Sequence, residues 1–222
     1  MKKSPSVTVR PISSPATYQD VLDAPPNNVA EIVDGKLYIH PRPAPAHAIA
    51  STRLGNRIGT PFDFGDGGPG GWWIIAEPEL HLSEDIVVPD IAGWRRERMP
   101  RVPATAYFML VPDWVCEVLS PSTRRFDLGG KNSVYAREGV SYFWLVDPDN
   151  RSLEAFKLRK GEWALIDRLF NNELVSLPPF EEISFSLGDL WVTNAVHKEL
   201  PKDEPPSESE GTSEMESAQA SK

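Results

Sequence analysis

Most hydrophobic residues of this chain fall into short runs separated by glycine, proline and acidic turns, and runs of that length read as strands. Val29 to Val33 and Lys36 to Ile39 flank Asp34-Gly35, a pair suited to a type I′ turn, so they predict a β-hairpin. Trp72 to Ala76, Glu79 to Leu82 and Ile86 to Trp94 predict three further strands, the last of them continuous. After an apolar stretch from Tyr107 to Val111 come two strands, Trp114 to Leu119 and Val140 to Val146. Ser152 to Leu158 and Trp163 to Phe170 predict a late hairpin around Lys160-Gly161.

Helical patterns are fewer. Thr17 to Leu22 predicts a short helix ended by Pro25-Pro26. Pro41, Pro43 and Pro45 mark an extended stretch. Ala46 to Ile58 follows as a helix with Ile49, Leu54 and Ile58 on one face. Phe126 to Glu138 predicts a helix closed by Gly139, which suits a left-handed C-cap. The glycine-rich segment Gly65 to Gly71 lacks the lysine and helix start of a phosphate-binding P-loop and reads as a plain loop. Residues 1–16 read as a flexible leader, 17–197 as one α/β domain, and 198–222 as a disordered acidic tail rich in Pro, Ser and Glu.

A length of 222 residues allows one core of ample size. Lys2-Lys3 runs into Ser, Pro and Thr rather than an apolar stretch, so no secretory signal and no membrane span is expected, and the cytoplasm is the default compartment. Cys116 is the single cysteine, which excludes an internal disulfide or a cysteine zinc cluster. The net charge of −9 argues against a protein that coats nucleic acid non-specifically. Lys198 to Lys222 holds three basic and seven acidic residues, so the remainder is still acidic. A nucleic-acid enzyme of this composition needs concentrated basic groups, or a divalent ion among its carboxylates.

One carboxylate stands out. Glu117 lies within Trp114-Val115-Cys116-Glu117-Val118-Leu119, flanked by apolar residues on whichever face it occupies. Burying it costs several kcal/mol unless it is protonated, paired or bound to a metal. Asp90, after Val87-Val88-Pro89, and Lys131, on the helix beside Leu128, Val134 and Tyr135, are its expected companions. Two acids and a lysine around Mg²⁺ or Mn²⁺ make a hydrolytic site, whereas without metal they make a structural ion network. Glu31 is a further acid that could enter the site, and His47 a phosphate contact, a proton carrier or a simple cap. Arg95-Arg96 and Arg124-Arg125 either grip a phosphate backbone or are solvated loop charge. His40, His81 and His197 show no metal-ligand spacing, and Glu77 and Glu79 carry no assignment.

The block from Pro112 to Thr123, Pro-Asp-Trp-Val-Cys-Glu-Val-Leu-Ser-Pro-Ser-Thr, is followed by Asp127, Lys131, Tyr135, Gly139-Val140 and Tyr142-Phe-Trp-Leu-Val-Asp-Pro148. With Glu31, Asp34-Gly35, His47 and Pro89-Asp90 upstream, this pattern resembles the Uma-two family of restriction-endonuclease-like proteins, within the PD-(D/E)XK nuclease superfamily. The resemblance covers roughly residues 17 to 192. It implies a restriction-endonuclease-like mixed central sheet flanked by helices, Mg²⁺ dependence and hydrolysis of DNA phosphodiesters. It makes Asp90 and Glu117 the metal ligands, Lys131 the catalytic lysine and Glu31 an accessory acid. The superfamily lysine two residues after the acid is replaced here by Leu119, and Lys131 matches a position migrated to the helix. The expected function is therefore a Mg²⁺-dependent DNA endonuclease acting as a homodimer. The alternative is a non-catalytic binding or dimerisation module that keeps the nuclease fold.

Overall fold

The computed structural model describes residues 8–9, 14–121 and 124–192. The expected acidic tail, the start of the leader, Ser122, Thr123, His197 and the side chain of Arg125 lie outside the described residues. Among the described residues the fold has two larger sheets and a two-stranded antiparallel ribbon formed by Leu174–Val175 and Phe185–Ser186. In chain order the first elements are β1 (Thr8–Val9), α1 (Tyr18–Leu22), β2 (Asn28–Val33) and β3 (Lys36–Pro41). Asp34 and Gly35 join β2 to β3 at φ of 49° and 70°, the left-handed backbone that a type I′ turn demands and that glycine adopts without a Cβ clash. The long helix α2 (Pro45–Phe62) precedes β4 (Trp72–Ala76), β5 (Leu80–Leu82), β6 (Asp85–Val87), β7 (Ile91–Arg95) and β8 (Trp114–Val118). Then come α3 (Arg124–Phe126), a π-helical turn (Asp127–Lys131), α4 (Asn132–Glu138), β9 (Tyr142–Asp147), β10 (Ser152–Arg159) and β11 (Glu162–Phe170).

The central sheet has the order β11-β10-β9-β8-β7-β4 and is antiparallel except for β8 beside β9. A parallel pair needs a crossover, and the helical segment before β9 supplies it. The mixed, mostly antiparallel sheet expected from the chain is thus present. β8 is buried on both faces. Trp114, Cys116 and Val118 join one core, with Trp144, Phe62 and Phe180, while Val115 and Leu119 join the other, with Trp94, Tyr135 and Phe143. The smaller sheet, β1-β3-β2-β6-β5, carries Glu31 and His40 on neighbouring strands. Among the described residues, no helix is long and apolar enough to cross a membrane.

Three departures from the sequence reading matter. Pro45 is the first residue of α2 rather than part of an extended stretch, because proline is tolerated where the helical N–H has no partner. The helix runs on to Phe62, and its buried stripe is Ala50, Leu54, Ile58 and Phe62, with Ile49 off the stripe. The expected continuous strand from Ile86 to Trp94 breaks at Val88-Pro89-Asp90 into β6 and β7, which belong to different sheets. Proline has no ladder donor. The backbone of Val88 is held instead by side chains, its N–H donating to Glu31 at 2.7 Å and its carbonyl accepting from Lys131 at 2.8 Å.

Asp147, at the end of β9, anchors the following turn. Its carboxylate accepts the N–H groups of Asp149 and Asn150 at 3.1 Å each and pairs with Arg124 at 2.5 Å. Although burial pushes the other way, Arg124 and Asn150 together hold this carboxyl below its ordinary value. Its contribution is therefore complete above the usual Asp range and is lost as the pH falls through that range toward the depressed folded value. Asp147→Asn should lower stability by about 1–2 kcal/mol at neutral pH. In urea unfolding the deficit should shrink below about pH 4, and a deficit independent of pH would remove the assignment.

Candidate active site

The break in the sheets creates the site. Ile91 of β7 pairs with Cys116 of β8, so Asp90 and Glu117 stand side by side at the same end of the central sheet. The smaller sheet brings Glu31 and His40 to that end, and the π-helical turn brings Asp127 and Lys131. Together with His47, Ser120, Val88, Glu77, Pro41 and Pro43 these residues line a pocket of about 50 Å³. By the measure in which one water takes roughly 10–15 Å³, that space holds a few waters or one partly hydrated cation. A nucleotide or a metabolite does not fit inside, so any large substrate must present a small group at the mouth.

Lys131 is the hub. It is buried, and its ammonium lies 2.8 Å from Glu117 Oε1, 3.2 Å from Glu31 Oε1, 3.9 Å from Asp127 Oδ1 and 2.8 Å from the Val88 carbonyl. Burial alone would push its pKa down, yet Glu117, Glu31, Asp127 and Asp90 outweigh that and raise it, so Lys131 is charged at every physiological pH. Glu117 is the reverse case. Burial pushes its carboxyl up, Lys131 opposes this, and Asp127, Asp90 and Glu31 add to the rise, leaving it well above the ordinary carboxylate range. Glu31 is held below its usual value: against burial stand Lys131, the His40 contact and the Val88 N–H. Tyr135, fully buried on α4, donates its hydroxyl to Glu117 Oε1 at 2.6 Å.

Asp90 is fixed from two sides. Its Oδ2 accepts the Val118 N–H at 2.7 Å, and His47 Nε2 lies 3.1 and 3.2 Å from its two oxygens. Burial lowers the His47 pKa, but Asp90 chiefly, with Asp127 and Glu77, raises it overall. His47 Nδ1 is buried with no hydrogen-bond partner among the described residues. His40 Nε2 sits 3.1 Å from Glu31 Oε2, without the angle of a hydrogen bond.

The four residues singled out from the sequence, Asp90, Glu117, Lys131 and Glu31, thus converge. Leu128 does not share the face of Lys131, as had been expected. It is 45% exposed because the backbone from Asp127 to Lys131 is π-helical, which aligns residues four apart and turns the residue three before Lys131 outward. The side facing Glu117 carries Asp127 and Lys131, which line the pocket, and Tyr135, which bonds Glu117 from the core, a spacing of four visible in the sequence but read there against an α-helical face. His47 was named without a fixed role, and His40 was set aside because it shows no ligand spacing. No periodicity signals a contact between adjacent strands of a hairpin, which is how His40 reaches Glu31. Arg95 and Arg96 sit at the far end of β7, over the rings of Trp72 and Trp73, and Arg124 is taken up by Asp147. None of these three lines the pocket.

A divalent cation fits this donor set in kind. Four carboxylates, Glu31, Asp90, Glu117 and Asp127, line the pocket beside one ammonium, and Asp127, Asp90 and Glu31 add to the rise that burial chiefly imposes on Glu117. Among the described residues, no cluster of three or more His, Cys, Asp or Glu side chains is arranged to hold an ion by itself. The oxygens of Asp90 and Glu117 would therefore hold the ion together with water or phosphate, a habit of Mg²⁺.

Comparisons with known proteins agree with this architecture. A solved structure from Anabaena variabilis, described as "a putative nuclease belonging to DUF820", has a TM-score of 0.62 and 24% identity, covering 79% of this chain and 97% of its own. That likeness shows the nuclease-like fold. An uncharacterized protein of Synechocystis is 27% identical over 143 residues, 62% of this chain and 70% of the relative. Residues 15–188 match the Uma2 family, whose description is "Putative restriction endonuclease". The chain belongs to the Uma2 (Uma-two) family.

Proposed function

We propose that this protein is a Mg²⁺-dependent endonuclease that hydrolyses phosphodiester bonds in DNA. The observation that carries the reading is the placement of Glu117 on β8 next to Asp90, which immediately precedes the neighbouring strand β7, at the mouth-facing end of the sheet and beside a buried Lys131. Bound Mg²⁺ would supply positive charge to a phosphoryl oxygen and make a coordinated water more acidic. The chain's own residues do the rest. His47 and the Val118 N–H fix the rotamer of Asp90, so its oxygens are oriented before substrate arrives. Tyr135 and Lys131 both engage Oε1 of Glu117, which sets the direction of the whole carboxyl group. The pocket admits water and one phosphate edge and excludes the bulk of the polymer, so specificity for sequence has to come from surfaces outside it.

Asp90→Asn and Glu117→Gln keep the side-chain volumes and remove the ligand charge. Each should reduce Mg²⁺-dependent nicking of supercoiled plasmid by roughly a thousandfold or more. Full nicking by either variant would end the proposal.

A second reading rests on a specific observation. The three protons of Lys131 have acceptors at 2.8 Å in Glu117, at 2.8 Å in Val88 and at 3.2 Å in Glu31, the pattern of a structural ion network in a non-catalytic module that keeps the fold. Under either reading Lys131→Ala should cost about 3–5 kcal/mol in urea unfolding, since it strands buried carboxylates. Calorimetric titration with Mn²⁺ separates the two. Heat of binding that vanishes in Asp90→Asn supports the enzyme, and no heat at millimolar metal supports the module.

A further inference from the structure

The four pocket carboxylates that would attract a cation repel the phosphate that must join it. A phosphodiester reaching this mouth needs a positive group that the buried Lys131, already surrounded by acceptors, does not offer. Arg42 stands in that position. It lies between Pro41 and Pro43, both of which line the pocket, so the chain pins it to the rim. Proline on each side restricts its backbone. Its side chain, 58% exposed, crosses to Glu77, a lining residue 49% exposed, at 3.1 Å. Exposed pairs of this kind hold weakly. A guanidinium grips phosphate oxygens with two parallel hydrogen bonds and exchanges a carboxylate for them readily. Glu77 is itself an outlier, a non-glycine residue at φ 48°, whose N–H donates to the Asp90 carbonyl at 3.0 Å. The residue just past β4 that partners Arg42 is thereby fixed directly beside Asp90, immediately before β7. Just past Pro43, α2 begins without a side-chain cap or an acidic residue in its first turn, so its end adds a favourable field for an anion.

We propose that Arg42 is the residue that grips a backbone phosphate of the polynucleotide at the mouth of the pocket, and that Glu77 holds it in readiness until the substrate displaces the carboxylate. This rests on the nuclease reading and adds to it the residue that binds the polymer. Arg42 acts on substrate binding, so its loss falls on KM rather than kcat.

The test uses the full chain and a short fluorescein-labelled DNA duplex, with anisotropy read across a salt series in a Glu117→Gln background, and plasmid nicking read in the wild-type background. Arg42→Ala should weaken duplex binding about tenfold and flatten the log K against log salt slope by about one. Arg42→Lys should recover part of the affinity. Glu77→Gln should tighten binding about threefold, and this gain should disappear when Arg42→Ala is added. If Glu77→Gln tightens binding equally without Arg42, Glu77 acts only as a repelling charge and the proposal fails. It fails also if Arg42→Ala leaves both KM and the salt slope unchanged, or if the parent protein binds no DNA. Arg42-dependent binding without any Mg²⁺-dependent nicking would sink the hydrolytic reading and leave the grip standing. Nicking indifferent to Arg42 would do the opposite.

Discussion

The contact between Lys131 and Glu117 sets the terms for everything around it. An ammonium and a carboxylate 2.8 Å apart, both nearly closed off from water, hold together only because further groups complete their shells. Tyr135 takes part of the Glu117 demand, while Val88 and Glu31 take part of the Lys131 demand. Each of these comes from a different element. Strand β8, the turn after α3, helix α4, the junction between β6 and β7 and strand β2 are tied by charge as well as by apolar packing. The two sheets are joined at the same place, since Glu31 belongs to one and Glu117 to the other.

That joint explains the irregular backbone. β6 cannot continue into β7, because Pro89 offers no donor and the polar groups of Val88 are claimed by Glu31 and Lys131. In the helical segment the π turn keeps Asp127 and Lys131 on one side and turns Leu128 outward. Gly130 lies in the same turn. A Cβ there would come within 3.2 Å of the Phe126 ring, which would have to give by a few tenths of an ångström, and would make ordinary contact with Val33 at 3.5 Å. Irregularity is concentrated where charge is buried, as expected when local preference yields to a functional constellation.

Much of this was legible in the chain. Apolar runs gave the strands of the central sheet, Asp34-Gly35 and Lys160-Gly161 gave two hairpins, and Gly139 gave the helix end at φ 85°. Glu117 announced itself by standing among apolar residues, and Lys131 by standing on a helix that had to face the core. Other features were hidden for a physical reason. A strand break made by side chains seizing one backbone unit has no local signature beyond a proline. The partner of His40 is set by hairpin register, and the partner of Asp90 by a helix that starts 45 residues before it.

From its own letters the chain determined a mixed α/β sheet domain and singled out Glu117 as a carboxylate that could not be left alone in a core, with Asp90 and Lys131 as its expected companions. Glu31 entered as an accessory acid through the family resemblance. Tertiary structure decided who meets whom. Hydrophobic periodicity is written along the chain, because each apolar residue needs only some interior. A buried charge needs one particular partner at one distance, and that partner's position is fixed only when separate strands and helices have packed.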